Sequence, residues 1–350
     1  MNKKELELYI HIPFCVRKCS YCDFLSAPAT EQTREAYMAA LFAEIGGRAK
    51  DYSDRTVTSI FIGGGTPSLL SGEQIGQLMD RIREQFAMAQ DAEITMEVNP
   101  GTASAEKLRN FYTAGINRLS IGMQSAQAEE LKNLGRIHDF EGFCQVYREA
   151  VEAGFTNINV DIMSGLPGQT LASYRDTLEK VLHLEPMPQH ISAYSLIVEE
   201  GTPFAAMAER GELPLPEEET ERAMYEETIE VLAKYGFHRY EISNYARDGY
   251  ECRHNVGYWI RRDYLGFGIG AASLIDNVRF QNEKSLGAYL AHPLESREEE
   301  QTLTVQDRME ETMFLGLRLT RGVSCVDFAE QYGRTVEEVY GEVIARNVAD

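Results

Sequence analysis

Between residues 6 and 198 one pattern recurs, and no other feature of the 350-residue chain limits its fold as much. A short run rich in β-branched and aromatic residues leads into a polar or glycine-rich loop, then into a longer stretch with helical periodicity. The runs Leu6 to Ile12, Val57 to Ile62, Glu93 to Val98, Arg118 to Met123, Asn157 to Met163 and His190 to Val198 read as strands. Between them Ile75, Leu78, Met79, Ile82 and Phe86 form one helical apolar stripe; Phe143, Val146, Tyr147, Ala150 and Val151 form another, stopped by Gly154. Six βα units in series predict a parallel sheet with right-handed crossovers, which can close partly into a barrel or stay open. In a βα barrel the site is built where the strands end, and the unusual residues of this chain fall there each time. Cys15, Cys19 and Cys22 follow the first strand and Gly63-Gly64-Gly65-Thr66-Pro67 the second. Glu97 and Asn99 end the third, Gln124 the fourth, Asp161 the fifth, and Tyr194 and Ser195 the sixth. The expected fold class is α/β, a partial parallel (βα)6 TIM-like barrel with its chemistry gathered on one face.

The pattern changes beyond Gly201. A connection containing Pro203, Pro214 and Pro216 leads to an acidic helix from Glu217 to about Lys234, then to irregular strands between Arg239 and Phe280 that take in His254. From about Thr302 the chain reads as helical. Three regions are expected: the barrel over 1–216, an elaboration of it over 217–300, and a small, mainly helical C-terminal module over 301–350. Thirty-four Lys and Arg against 55 Asp and Glu leave a net charge of -21, which excludes a nucleic-acid partner held by phosphate neutralisation. Glu298-Glu299-Glu300 argues the same for the C-terminal region. No stretch reaches the ~18 apolar residues of a transmembrane segment. Met1-Asn2-Lys3-Lys4 opens with basic residues, but Glu5 and Glu7 interrupt what would be the apolar core of a signal peptide. The expected location is cytoplasmic.

The six cysteines stand at 15, 19, 22, 144, 252 and 325. In a reducing compartment clustered thiols serve as metal ligands or catalysts more often than as bridge partners. Cys15-x3-Cys19-x2-Cys22 offers three thiolates from one loop. Cluster iron is held by Cys thiolates, so a cubane here would keep one iron without a protein ligand and open to chemistry. Structural zinc is the other reading, but it wants paired spacings such as Cys-x2-Cys twice, and Cys144, Cys252 and Cys325 stand alone. The spacing favours 4Fe-4S.

At these residues the chain carries a resemblance. The run His11-Ile12-Pro13-Phe14-Cys15-Val16-Arg17-Lys18-Cys19-Ser20-Tyr21-Cys22-Asp23-Phe24 is similar to the cluster loop of the radical S-adenosylmethionine (SAM) superfamily, specifically of the oxygen-independent coproporphyrinogen III oxidase-like group. Gly63-Gly64-Gly65-Thr66-Pro67-Ser68, Glu97-Val98-Asn99-Pro100, Gly122-Met123-Gln124-Ser125, Gly165-Leu166-Pro167-Gly168-Gln169-Thr170 and the glycines 266, 268 and 270 extend it over about residues 8 to 275. The resemblance implies a barrel of the radical SAM type and a [4Fe-4S] cluster on Cys15, Cys19 and Cys22. It also implies that SAM chelates the open iron, where one electron cleaves its sulfonium. Carried over position by position, it implies SAM contacts at Tyr9, Tyr21, Gly64, Gly65, Thr66, Glu97, Gln124, Arg136, Asp161 and Ser195. Gly63 to Gly65, lacking β-carbons, would let backbone approach the ligand and expose N–H groups to its carboxylate. Glu97, Gln124 and Asp161 are polar where barrel interiors are normally apolar, so they need partners.

Within that group the resemblance points two ways. One is the oxidase itself, which decarboxylates propionate side chains of coproporphyrinogen III in porphyrin biosynthesis; the other is a branch of heme chaperones that bind heme and pass it to an acceptor protein. The oxidases place a fourth cysteine two residues beyond the third, where this chain has Phe24, and carry a long extension before the first strand, which this chain enters by Leu6. His254-Asn255-Val256-Gly257-Tyr258-Trp259 is similar to the His-Asn-x2-Tyr-Trp motif of the chaperones. The expected function is therefore heme chaperone, with the oxidase as alternative. His254 is the expected ligand to heme iron, Cys252 a rival, and Tyr258 and Trp259 the stacking partners. Arg247, Arg253, Arg261 and Arg262, against Asp248, Glu251 and Asp263, offer guanidinium forks to the propionates. The implied partners are heme, an unidentified acceptor protein and a one-electron donor such as a flavodoxin or ferredoxin. The resemblance also implies a closing hairpin beyond residue 350, so the 301–350 module is expected to fall short of the full domain.

Overall fold

The structure, a computed structural model, describes residues 4–295 and 297–348. The start Met1-Asn2-Lys3, Ser296, the end at residues 349 and 350 and the side chains of Glu299 and Val348 lie outside the described residues. Six parallel strands appear where periodicity places them: β1 (Lys4–Ile12), β2 (Arg55–Gly64), β3 (Ala87–Val98), β4 (Arg118–Gln124), β5 (Ile158–Ser164) and β6 (His190–Ser195). Between them lie α1 (Glu31–Arg48), α2 (Gly72–Gln85), α3 (Ala105–Thr113), α4 (Ala128–Leu134), α5 (Phe140–Ala153) and α6 (Leu171–Leu182). The helix boundaries follow local chemistry. Ser71 and Gln74 form a reciprocal capping box at the start of α2, and Gly154 ends α5 in the left-handed conformation. The sixth strand stops at Ser195, three residues before the expected Val198.

The sheet is open, as a partial barrel requires. β6 does not pair with β1; instead β9 (Tyr264–Phe267) joins the free edge of β1 in parallel, and β8 (Asn244–Ala246) runs antiparallel to β6. With β7 (His238–Arg239), β10 (Ala272–Ile275), β11 (Val278–Asn282) and β12 (Arg297–Thr302), one twelve-stranded sheet runs in the order β12-β11-β10-β9-β1-β2-β3-β4-β5-β6-β8-β7. The central strands are covered on both faces, and every residue of β4 is buried. Leu6, Leu8, Ile10, Ile60, Ile62, Met96, Leu119, Ile121 and Val160 belong to one apolar core, each contributing about 1.5–3 kcal/mol by burial.

Beyond β6 come α7 (Pro203–Glu209) and α8 (Glu218–Lys234). The segment around His254 is a short helix, α9 (Arg253–Trp259), and not a strand. Its N-cap, Cys252, makes no side-chain cap bond. Glu93 of β3 supplies the cap instead, accepting from the backbone N–H groups of Arg253 (3.1 Å) and His254 (3.2 Å). After α10 (Leu286–Ala291) and β12, the chain closes in α11 (Val305–Gly316), α12 (Cys325–Tyr332) and α13 (Val336–Val348), packed around Met309, Phe328 and Val336. Buried Glu311 on α11 receives Arg261 and Arg279 and ties this module to the sheet.

Candidate functional site

The loop after β1 is fastened at both ends. Cys15 N–H donates to Ala27 O (3.2 Å) and Ala27 N–H to Pro13 O (2.9 Å), while the glycine loop after β2 clips onto it through Gly65 N–H to Ile12 O (2.8 Å) and Thr66 N–H to Phe14 O (2.7 Å). A side chain at Gly65 would place its β-carbon 2.7 Å from Phe14 O and 2.9 Å from Phe14 N, atoms of backbone that cannot swing away. Gly65→Ala is expected to lower stability by about 1–3 kcal/mol through overpacking and to loosen the loop. The check is urea denaturation beside Gly76→Ala, an open position on α2 that should cost nothing.

Cys15, Cys19 and Cys22 are each half-buried and line one cleft of about 290 Å³ at the carboxyl ends of the strands. Thr66 Oγ1 donates to Cys15 Sγ (3.4 Å), and the Arg136 guanidinium lies 3.9 Å from Cys19 Sγ while bonding Gly122 O (2.7 Å). A hydroxyl and a cation aimed at these sulfurs fit thiolates carrying the charge of a cluster. Among the described residues the three thiols are not drawn to a common point that would itself hold a metal ion. Cys144 sits on α5, Cys252 is fully buried below the sheet ends, and Cys325 is exposed on α12.

The residues expected to hold SAM line this same cleft, all but Tyr9. Tyr9 borders an adjoining cavity of about 360 Å³ with His11, Gly64, Glu97 and Tyr258. Its hydroxyl bonds His11 Nδ1 (3.0 Å); since His11 Nε2 faces Leu25 O (2.9 Å), an acceptor, the tyrosine is the donor. Two carboxyls, Glu97 and Asp161, face the cleft. Burial, with Asp161 nearby, pushes Glu97 up to about 8, and burial raises Asp161 against the hydrogen bonds that hold it down. Gln124 takes a left-handed backbone (φ 70), a strained geometry for a non-glycine residue, and its Oε1 accepts from Tyr194 OH (3.0 Å). Ser195 is exposed at the mouth, its Oγ 3.1 Å from Ser164 Oγ.

The glycines behave differently from expectation. Gly64 N–H donates to Glu97 Oε2 (3.1 Å), and the N–H groups of Gly65 and Thr66 go to backbone carbonyls, so they do not stand free for a ligand carboxylate. Gly64 (φ 110) is needed for close approach instead: a β-carbon there would sit 2.5 Å from the His11 ring. Sequence reasoning did not single out His11, Ser120 or Met163, of which the last two also line the cleft. Ser120 shares the inward parity of Gly122 and Gln124 on β4, a signal that was readable.

The heme motif also departs from expectation. His254 is 1% exposed, its Nδ1 2.8 Å from Ser59 Oγ and its Nε2 3.1 Å from Tyr258 OH, with its ring stacked on Phe61. Burial lowers it to about 3, so it stays neutral. An imidazole with both nitrogens engaged and no solvent access does not offer a lone pair to iron. Cys252 is equally enclosed, its thiol pushed up to about 12 by burial. Trp259 is half-buried with the Arg318 guanidinium 4.5 Å from its ring centre, and Tyr258 bonds His254 through its hydroxyl while bordering the cavity beside Tyr9. The arginines are engaged too: Arg253 with Asp91, Arg261 with Glu311, Arg262 with Glu5 and Glu7, and Arg247 over Phe237.

Comparison with known proteins agrees with the cleft. Residues 9–181 match the radical SAM superfamily, and residues 303–350 match the HemN C-terminal domain. The heme chaperone HemW of Bacillus subtilis is 40% identical over 343 residues, which is 96% of this chain and 89% of the relative. The chain belongs to the HemW family of radical SAM proteins. Its HemW relative in Lactococcus lactis is 38% identical over 98% of this chain and 89% of its own length; that of Escherichia coli is 42% identical over 76% and 69%. The solved coproporphyrinogen III oxidase HemN of Escherichia coli, a radical SAM enzyme, superposes with a TM-score of 0.86 at 28% identity, covering 99% of this chain and 82% of that one. A HemW-family chain thus keeps the HemN architecture around its cysteine cleft. No helix among its described residues is long and apolar enough to cross a membrane.

Proposed function

We propose that this protein is a heme chaperone that carries a [4Fe-4S] cluster and SAM, binds heme, and passes it to an acceptor protein in the cytoplasm. The observation that carries the reading is the similarity to proteins named heme chaperone along nearly the whole chain. Phe24 supports it: where the oxidases resembled have a fourth cysteine, this chain sets an aromatic ring, 60% exposed, at the mouth of the cleft. Ile197 (68% exposed), Arg17 and Lys18 line the same mouth. Apolar surface beside cations suits a flat, dianionic macrocycle.

Cys15, Cys19 and Cys22 would hold the cluster, and Tyr9, Tyr21, Gly64, Gly65, Thr66, Glu97, Gln124, Arg136, Asp161 and Ser195 would surround SAM. Bound there, the pair would supply one-electron cleavage of the sulfonium, with the electron coming from a donor such as a flavodoxin or ferredoxin. Arg136 balances thiolate charge at Cys19. Glu97 and Asp161 offer acceptors to a cationic ligand, while Tyr194 fixes Gln124. Gly64 and Gly65 let the loop after β2 pack directly on His11 and Phe14 and so fix the wall of the cleft.

The test is a hemin titration of the anaerobically reconstituted protein, read in the Soret band and followed by transfer to an apo-acceptor. Hemin should bind. His254→Ala should leave hemin affinity within about threefold while costing about 1–3 kcal/mol of stability, because it strands buried hydroxyls of Ser59 and Tyr258. Loss of hemin binding at unchanged stability would return His254 to the iron. The oxidase alternative draws on the HemN likeness; incubating reduced protein with SAM and coproporphyrinogen III should yield no protoporphyrinogen.

A further inference from the structure

A line of hydrogen bonds runs inside the barrel from the amino end of α9 to Asp161 in the cleft. Its direction can be read off one atom at a time. Two Asp161 oxygens face donors: Oδ1 lies 2.7 Å from Asn159 Nδ2, and Oδ2 lies 3.1 Å from Ser120 Oγ. Hydrogen bonds from Asn159 and Ser120 and the nearby Arg118 favour the ionised form of Asp161. A carboxylate only accepts, so the amide nitrogen of Asn159, which also donates to Ser120 Oγ (2.8 Å), points at it and Asn159 Oδ1 points away. That oxygen meets His190 Nδ1 at 2.6 Å, with Ser192 Oγ also donating at 3.1 Å. An amide oxygen cannot donate, so His190 carries its proton on Nδ1 and presents a lone pair at Nε2.

The Nε2 lone pair faces Tyr240 OH at 2.9 Å, which therefore donates, and Tyr240 accepts in turn from Cys252 N–H at 3.2 Å. Every donor in the line points towards Asp161. Reversing Asn159, His190 or Tyr240 sets two lone pairs against each other at the next contact. His190 is fully buried and burial holds it neutral, so the ring does not escape the constraint by taking a second proton. The strands hold the members in place by register: Ser120 is opposite Asn159 across β4 and β5, and Asn159 is opposite His190 across β5 and β6.

We propose that His190 and Tyr240 are positioning residues for the SAM site: through Asn159 they orient Asp161 so that it presents acceptor lone pairs to the ligand's donors. This rests on the reading of the cleft as the SAM site. Neither residue lines the cleft; both act through Asn159. The line also ends at the N-cap of α9, which joins the His254 segment to the cofactor cleft through the barrel interior.

The experiment uses the reconstituted protein with three variants. Nitrogen NMR of selectively labelled histidine should find wild-type His190 neutral and protonated on Nδ1 from about pH 5 to 8. Tyr240→Phe removes only a hydroxyl; it leaves the Nε2 lone pair without its donor and the ring free to turn away from Asn159, and should weaken SAM binding about tenfold, since hydrogen bonds to charged groups carry that order of effect. His190→Leu should weaken it further, and His190→Gln, whose amide can donate to Asn159 and accept from Tyr240, should restore it to within about threefold. A purely structural role would not distinguish Gln from Leu by SAM affinity at equal stability. If His190→Leu does not fold, Tyr240→Phe and His190→Gln decide the matter. Wild-type His190 protonated on Nε2, or Tyr240→Phe binding SAM as wild type does, overturns the assignment. Wild-type protein that holds the stated tautomer yet binds no SAM overturns the SAM reading itself, which the first measurement keeps separate.

Discussion

Cys19→Ala is expected to abolish cluster assembly. Anaerobic reconstitution should leave it without 4Fe-4S absorbance and without the EPR signal of a reduced cluster, and iron per protein should fall at least about tenfold. The reason is a count of thiolates within reach. Cys15 and Cys22 are the other two cysteines at the cleft, and two cannot hold a cubane. The remaining three do not substitute: Cys252 is buried with its Sγ 3.5 Å from Glu93, and Cys144 and Cys325 sit on α5 and α12. The fold should survive, because the side chain is only half-buried and removal of a small thiol near the surface costs about 0.5 kcal/mol or less. Cys325→Ala, exposed, should assemble the cluster as wild type does. A cluster of normal intensity in Cys19→Ala would rule out the three-thiolate site.

The second large effect is a pH dependence at Glu97. Burial and the neighbouring Asp161 raise this carboxyl from 4.5 to about 8. Between those values the folded protein keeps a proton that the unfolded chain has released. The contribution to stability is therefore full below about pH 4.5 and is lost as pH rises towards 8. Glu97→Gln should flatten that fall, gaining about 1–3 kcal/mol on wild type at pH 8 relative to pH 5 once solvent at the cleft wall is allowed for. Buried Glu7, also raised to about 8, adds a slope of the same sign that the variant keeps.

Under the proposed function Glu97 would also link the cleft to its ligand. A cation placed between two carboxyls favours their charged forms. Binding of SAM near neutral pH should therefore release about one proton, measurable by calorimetry in two buffers of different ionisation enthalpy. Glu97→Gln should abolish that release. Equal binding heats in the two buffers for wild-type protein would remove Glu97 from the ligand's surroundings.

Much of the cleft was legible in the sequence because its parts are local. The cysteines share one loop, and Gly64, Gly65 and Thr66 follow a single strand. Glu97, Gln124 and Asp161 each end a run whose periodicity is plain. Placing one residue at each strand end is enough to bring them together once the strands lie parallel. The free N–H groups expected of the glycines were not legible, since their partners Ile12 O, Phe14 O and Glu97 belong to other segments. His11 was hidden for the same reason: its role shows only when Gly64 packs on its ring.

The segment from 252 to 259 marks the boundary between the two kinds of information. Read alone, a histidine beside two aromatic rings and four arginines suggests an open site for an anionic macrocycle. In the fold, Glu93 caps the segment as a helix from 160 residues away, Ser59 and Tyr258 take both imidazole nitrogens, and acids from four other places take three of the arginines. By itself the sequence determined the six-unit barrel, the three-thiol loop and the polar strand ends, because periodicity and loop spacing act over a few residues. Only the tertiary structure decided which polar groups stand free and which are spent on one another. Asn159 and His190 meet through strand register and Tyr240 reaches them from the turn between β7 and β8, and no local pattern in the chain records that meeting.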